Sequence, residues 1–218
     1  MRRIVVMQQT WRTGDALLRA SAGAAARMNI ELTGLFVEDI NLLHLAGMPF
    51  ASEVCFPSAT RREMNVTRLE NSLRALARDA RLSLEAEAQR AALRASFRVA
   101  RGTLLAELLA AASATDVVVA GALSLTSHLP GLSIVCMASV APATIAALID
   151  ELSPWVRGGI TLIVLEGNAD VVSQWESDVR ENLVHSGMKQ RVRLLAPRNH
   201  QELGRLLKRP AAPAASRF

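Results

Sequence analysis

The stretch FRVARGTLLAELLAAASATDVVVAGA, residues 97–122, decides the fold. With Ser96 before it, SFRVA (96–100) predicts a short strand. Gly102 then gives a turn, the Thr103 hydroxyl is placed to cap a helix, and residues 104–112 predict that helix. Asp116 opens DVVVAG, a continuous β-branched run of the kind buried on both faces of a parallel sheet.

The same rhythm runs upstream. RIVVM (3–7) predicts a first strand, Thr13 an N-cap, residues 16–28 an alanine-rich helix, and Asn29 its close. IELTGLFV (30–37) predicts the second strand. Residues 66–94 hold neither Gly nor Pro, and Leu69, Leu73, Leu76, Ala80 and Leu84 recur every three or four positions, which predicts a long helix with one apolar stripe. Between these lies an irregular segment, residues 40–64, with Pro49, Pro57 and the apolar patch NLLHLAGMPF (41–50). Loops of that length are usually functional or cover something. Strands alternating with helices indicate a parallel α/β sheet with right-handed crossovers, and ligands of such sheets sit at the carboxyl ends of the strands. Those ends are residues 8–10, 38–39, 101–102 and 121–124.

Downstream the signal weakens. His128-Leu129-Pro130-Gly131 reads as a turn, residues 133–140 as a helix and 143–149 as a fifth strand, although ATIAALID fits a helix equally. Ser153-Pro154 breaks the chain and Gly158-Gly159 closes a linker. ITLIVL (160–165) predicts a strand, Asn168 or Asp170 caps a helix to His185, RVRLL (191–195) predicts a strand, and 200–208 a short helix. The division is a full α/β domain at 1–152, a β-α-β-α half repeat at 158–209 and a Pro/Ala-rich tail at 210–218, expected to be disordered. The second part reads either as a degenerate, truncated repeat or as an extension that adds strands to the first sheet.

The 218 residues are 50% hydrophobic, enough for a sizeable core. No apolar run approaches the ~20 residues of a membrane-spanning helix, and MRRIVVMQQT is too short in its apolar part for a signal peptide. Cys55 and Cys136 stand far apart with no CxxC spacing, which predicts reduced thiols in the cytoplasm. The net charge of +5 permits weak polyanion binding, but no nucleic-acid motif accompanies it, and 4% aromatic residues argue against stacking platforms.

Four segments together resemble the universal stress protein family: RRIVVM, TGLFVEDINLLHLAGMPF, the 97–122 stretch, and the restart at ITLIVLEG. The likeness is to the longer bacterial kind, in which a full domain precedes a degenerate one. It implies a parallel five-stranded sheet with helices on both faces and a homodimer. Many members of that family bind ATP, through an Asp after the first strand and a glycine motif after the fourth. Here Gln8, Gln9 and Thr10 follow the first strand, with no carboxylate before Asp15. Gly121 matches the first glycine of the motif, Ser124 replaces the second and Ile134 the third, with Gly131 and Ser133 as a shifted remnant. The pocket positions that the resemblance implies are therefore Gln8, Gln9, Thr10, Val37, Gly121, Ser124, Gly131 and Ser133. GALSLTSHLPGLS has His128 as its one titratable group, little charge for a phosphate cradle.

Other chemistry is thin. Adjacent Glu38 and Asp39 read as loop or helix-cap residues rather than an acid–base or metal pair. His44, His128, His185 and His200 share no ligand spacing; His185 suits a helix end, and His44 reads as partly buried in the apolar segment. No GxSxG elbow occurs, Cys136 reads as core, and Asp116 as a cap at the entry to its strand or an anchor of the turn. Trp11 covers the would-be pocket or packs on the long loop. The residues point to a stress-protein-like, non-catalytic binding or regulatory protein without tight ATP binding and with no cofactor or metal. The alternative is an ATP-binding protein with slow or no hydrolysis.

Overall fold

The computed structural model describes residues 1–8, 15–55, 58–112, 116–121, 132–156, 159–165, 169–183, 192–197, 201–203 and 205. Strands β1 (Arg3–Gln8), β2 (Glu31–Asp39), β5 (Ala95–Gly102), β6 (Asp116–Gly121), β7 (Leu132–Met137), β8 (Ile160–Leu165) and β9 (Val192–Leu195) form one seven-stranded sheet in the order β5-β2-β1-β6-β7-β8-β9. A separate antiparallel hairpin pairs β3 (Ser52–Cys55) with β4 (Thr60–Glu63). The helices are α1 (Asp15–Arg27), α2 (Ile40–Ala46), α3 (Val66–Arg90), α4 (Leu104–Ala111), α5 (Pro142–Leu152) and α6 (Ala169–Asn182).

β5, β2, β1 and β6 run parallel, β7 runs against β6, and β8 and β9 run with β7. The sheet therefore has β6 at its centre and three strands on each side. From β1 the chain steps outward to β2 and β5; from β7 it steps outward the other way to β8 and β9. Reversing both strand direction and step direction leaves a right-handed crossover on the same face. Accordingly α1, α3, α5 and α6 share one face, over a core that includes Leu18, Leu84, Ile145, Leu148, Val172 and Trp175. The return from β5 to β6 steps inward and puts α4 on the opposite face, where Leu108 and Ala111 pack with Leu203. The second half thus repeats the β-α-β-α-β rhythm and joins the sheet of the first.

Local chemistry explains the layers. α1 lies between α3 and α5. It buries Ala20, Ala22, Ala24 and Ala25, small enough for both neighbours to approach. Gly34 sits where α3 crosses β2: a Cβ there would lie 2.8 Å from both Leu84 Cδ2 and Phe97 Cδ2. At the amino edge, Arg3 and Asp116 are register partners on β1 and β6. Arg3 Nη2 donates to Asp116 Oδ2 at 2.5 Å, a cross-strand ion pair between β1 and β6. Arg3's own pKa is raised, first by that hydrogen bond and then by the carboxylate's charge.

The structure corrects several expectations. Of the seven described strands in the sheet, β1, β2, β5, β6 and β7 come from residues 1–152, while β8 and β9 of the second part extend the same sheet, and one neighbouring pair, β6–β7, is antiparallel rather than parallel. Residues 132–137 form strand β7, not a helix, because Leu132–Met137 finds β-partners on both sides. Residues 143–149 lie in α5, not a strand: Pro142 takes the first turn, and Ile145, Ala146, Leu148, Ile149 and Leu152 fall on one buried helical face. The segment 40–64 is not irregular throughout, for it holds α2 and the hairpin. Cys136 is core as expected, and burial pushes its thiol pKa up to about 12.

Candidate functional site

The connections from β1 and β6 leave the sheet in opposite senses, since β1 leads outward to β2 while β6 is reached by the return from β5. The carboxyl ends of these adjacent strands, Gln8 and Gly121, flank the crevice where an α/β sheet offers a ligand site. β7 starts at the same edge, with Leu132 opposite Gly121 and Ser133 opposite Ala120. Gln8, Gly121 and Ser133 are thereby brought onto three neighbouring strands. Val37 lies one strand farther out, near the carboxyl end of β2, buried in the cluster that includes Leu108 of α4. Gln9, Thr10, Ser124, Gly131, Trp11, His128, His185 and His200 lie outside the described residues.

Ile134, at the position of the third glycine in the resembled motif, is 0% exposed and lies mid-strand opposite Val119. A phosphate cradle needs free backbone N–H groups at a helix N-terminus or in a nest. At Ile134 the chain is instead a central β-strand, hydrogen-bonded into the sheet.

The carboxyl ends of β2 and β5 carry the adjacent acids. Asp39 caps α2, its Oδ1 accepting from the Asn41 N–H at 2.9 Å. Glu38, 7% exposed, accepts from Arg101 Nε at 2.9 Å across the β2–β5 pair. Arg101 also reaches Glu70 Oε1 on α3 at 3.4 Å, and Arg74 meets the other Glu70 oxygen at 3.4 Å. The Arg101 pKa is raised, first by the hydrogen bond to Glu38 and then by its charge. The two acids thus do structural work, one as a cap and one in an ion network that ties α3 to the sheet edge. Among the described residues no group of three or more His, Cys, Asp or Glu is placed to hold a metal ion. His44 is an exposed residue in the last turn of α2 rather than partly buried, because the short helix turns Leu43 and Ala46 inward instead.

The structure also forms a site that the sequence reading missed. α2, the β3–β4 hairpin and α3 enclose a groove of about 470 Å³. Leu42, Val54, Met64, Leu69 and Leu76 supply its apolar wall, and Glu53, Arg62 and Arg68 its charges. Arg62 Nε pairs with Glu53 Oε1, and Arg68 Nη1 lies 3.8 Å from that same oxygen. Leu45, Met48 and Phe50, in and just after α2, are exposed, the last 79% exposed. The signal was present in NLLHLAGMPF and in the α3 stripe, but only the fold shows that the two line one groove.

No helix among the described residues is long and apolar enough to cross a membrane. No protein-family model and no curated protein sequence matches the chain.

Proposed function

We propose that this chain is a universal stress protein-like binding or regulatory protein of the cytoplasm, working as a homodimer without catalytic chemistry and without tight ATP binding. The observation that carries the reading is Ile134: the residue where the resembled nucleotide motif has its third glycine is buried within β7. Replacing a glycine beside phosphates by a buried, β-branched strand residue removes both the backbone freedom and the donors that hold a polyphosphate. Two further features support it. β1 carries no carboxylate at its end, where such proteins hold the ribose, and both acids of the neighbouring strand are engaged in a cap and an ion pair.

Calorimetric titration of the nucleotide-stripped chain with ATP tests this, alongside mass spectrometry of whatever co-purifies. The reading expects no saturable heat at micromolar concentration and no bound nucleotide. Micromolar binding would overturn it and put a nucleotide-binding protein in its place. Sedimentation of the same sample checks the dimer.

A further inference from the structure

The groove between α2, the hairpin and α3 shares no lining residue with the β1–β6 crevice. Its volume of about 470 Å³ falls in the ~300–1,000 Å³ range of small-molecule sites. Its wall is mainly leucine, valine and methionine, which favours an apolar body.

The polar atoms of the lining narrow the choice of head group. Asn65 spends its side-chain oxygen on the Arg68 N–H at the start of α3, at 3.0 Å. Ser72 donates its hydroxyl to the Arg68 carbonyl at 2.9 Å. The charged lining is Arg62, Arg68 and Glu53, two cations to one anion. Arg68 is also oddly placed for a helix. It stands in the first turn of α3, where the helix dipole disfavours a cation, and that turn has no acidic residue. Glu53 Oε1 shows what the two guanidinium groups gather between them, namely a carboxylate oxygen.

We infer that this groove binds a small amphipathic anion, an aliphatic chain of medium length ending in a carboxylate, with the chain along Leu42, Leu69 and Leu76 and the head at Arg68. The inference does not rest on the reading of the β1–β6 crevice, because ATP and an alkyl carboxylate probe different residues.

The test is titration calorimetry of the full chain with decanoate below its micellar concentration, with octanoate and decyltrimethylammonium beside it. Decanoate is expected to bind saturably with one molecule per chain. Octanoate should bind about tenfold more weakly for its two missing methylenes. The cationic amphiphile should not bind. Arg68→Gln, a change at a half-exposed side chain, should weaken decanoate about tenfold. Leu76→Glu should abolish binding, with circular dichroism confirming that both variants stay folded. No saturable decanoate binding, equal binding of the cation, or an unchanged affinity in Arg68→Gln would each overturn the assignment. So would sedimentation of the chain with phosphatidylglycerol vesicles in the absence of decanoate binding, which would transfer the anion preference to a lipid surface.

Discussion

Ala92→Gly is expected to stabilise the protein, although it removes atoms and adds none. α3 ends in a Schellman arrangement: the Leu93 N–H reaches the Ala88 carbonyl at 3.0 Å and the Ala92 N–H the Gln89 carbonyl at 3.2 Å. The residue between helix and strand must adopt left-handed backbone, and Ala92 does so at φ 51°. A Cβ in that region costs roughly 1–2 kcal/mol, which glycine avoids. Glycine's extra freedom in the unfolded chain returns part of this. Ala92 is exposed, so its methyl group contributes no burial to set against the gain. The net is about 1 kcal/mol, or roughly 2–4 °C in Tm for a chain of this size. α1 ends the same way, with Ile30 bonded to the Ala25 carbonyl at 3.0 Å and Asn29 at φ 51°, but there asparagine already tolerates the conformation. Asn29→Gly should therefore change little, and Ala91→Gly, at a residue with φ −89°, should destabilise. Urea unfolding with a common m-value measures all three. An Ala92→Gly midpoint equal to or below that of the parent refutes the left-handed assignment and the reasoning with it.

Trp175→Phe should cost about 2 kcal/mol in the same assay, because the buried indole N–H donates to the Val140 carbonyl at 2.7 Å and phenylalanine leaves that carbonyl unanswered. Ser21→Ala should gain about 1 kcal/mol, since the Ser21 hydroxyl is fully buried on α1 with no hydrogen-bond partner among the described residues and alanine is the better helix former. Cys136 should stay inert to thiol reagents in the folded Cys55→Ser protein and react on unfolding. Its pKa is raised from 9.0 to about 12, so folding retains a proton that the unfolded chain gives up. The Cys136 contribution is therefore full below pH 9 and declines toward pH 12, and Cys136→Ala should flatten that slope of the stability curve.

Much of the sheet was legible because β1, β2, β6 and β8 are largely apolar segments with β-branched residues, and buried parallel strands demand that composition. α3 was legible in its periodicity, but its end was not, since Ala91-Ala92 carries no stop signal. The stop comes from outside the helix: Arg94 must present its carbonyl to the Leu32 N–H as β5 joins β2. β7 and α5 were exchanged because LSIVCM and ATIAALI are both short and apolar, and at that length period 2 and period 3.6 are hard to separate. The pairing partners decide, and neither partner lies nearby in the residues being read. The reversal of β7 has the same cause, as direction in a sheet is a tertiary choice. Asp39 as a cap was readable from position alone; the Arg3–Asp116 pair and the Glu38–Arg101–Glu70 network were not, because they join residues on separate elements.

The sheet reversal also separates the two candidate sites. Within the second half, β7, β8 and β9 follow one another outward in a single sense, so no reversal of strand order arises there. The β1–β6 crevice therefore has no counterpart among the described strands of that half. The α2–α3 groove arises instead from the insertion between β2 and β5. Two of its walls are tied to the sheet edge, α2 through its Asp39 cap and α3 through Glu70 and Arg101. The third wall is the hairpin, whose β4 residues are all exposed. Its two strands are closed on each other by the Met64 N–H on the Ala51 carbonyl at 3.0 Å and by the Glu53–Arg62 pair, and Arg68 Nη1 of α3 lies 3.8 Å from Glu53 Oε1. A wall with so little buried surface is where a fold opens most cheaply. The same Glu53 that gathers the two arginines also holds that wall to α3, so an anionic head taking Glu53's place would loosen the hairpin as it binds.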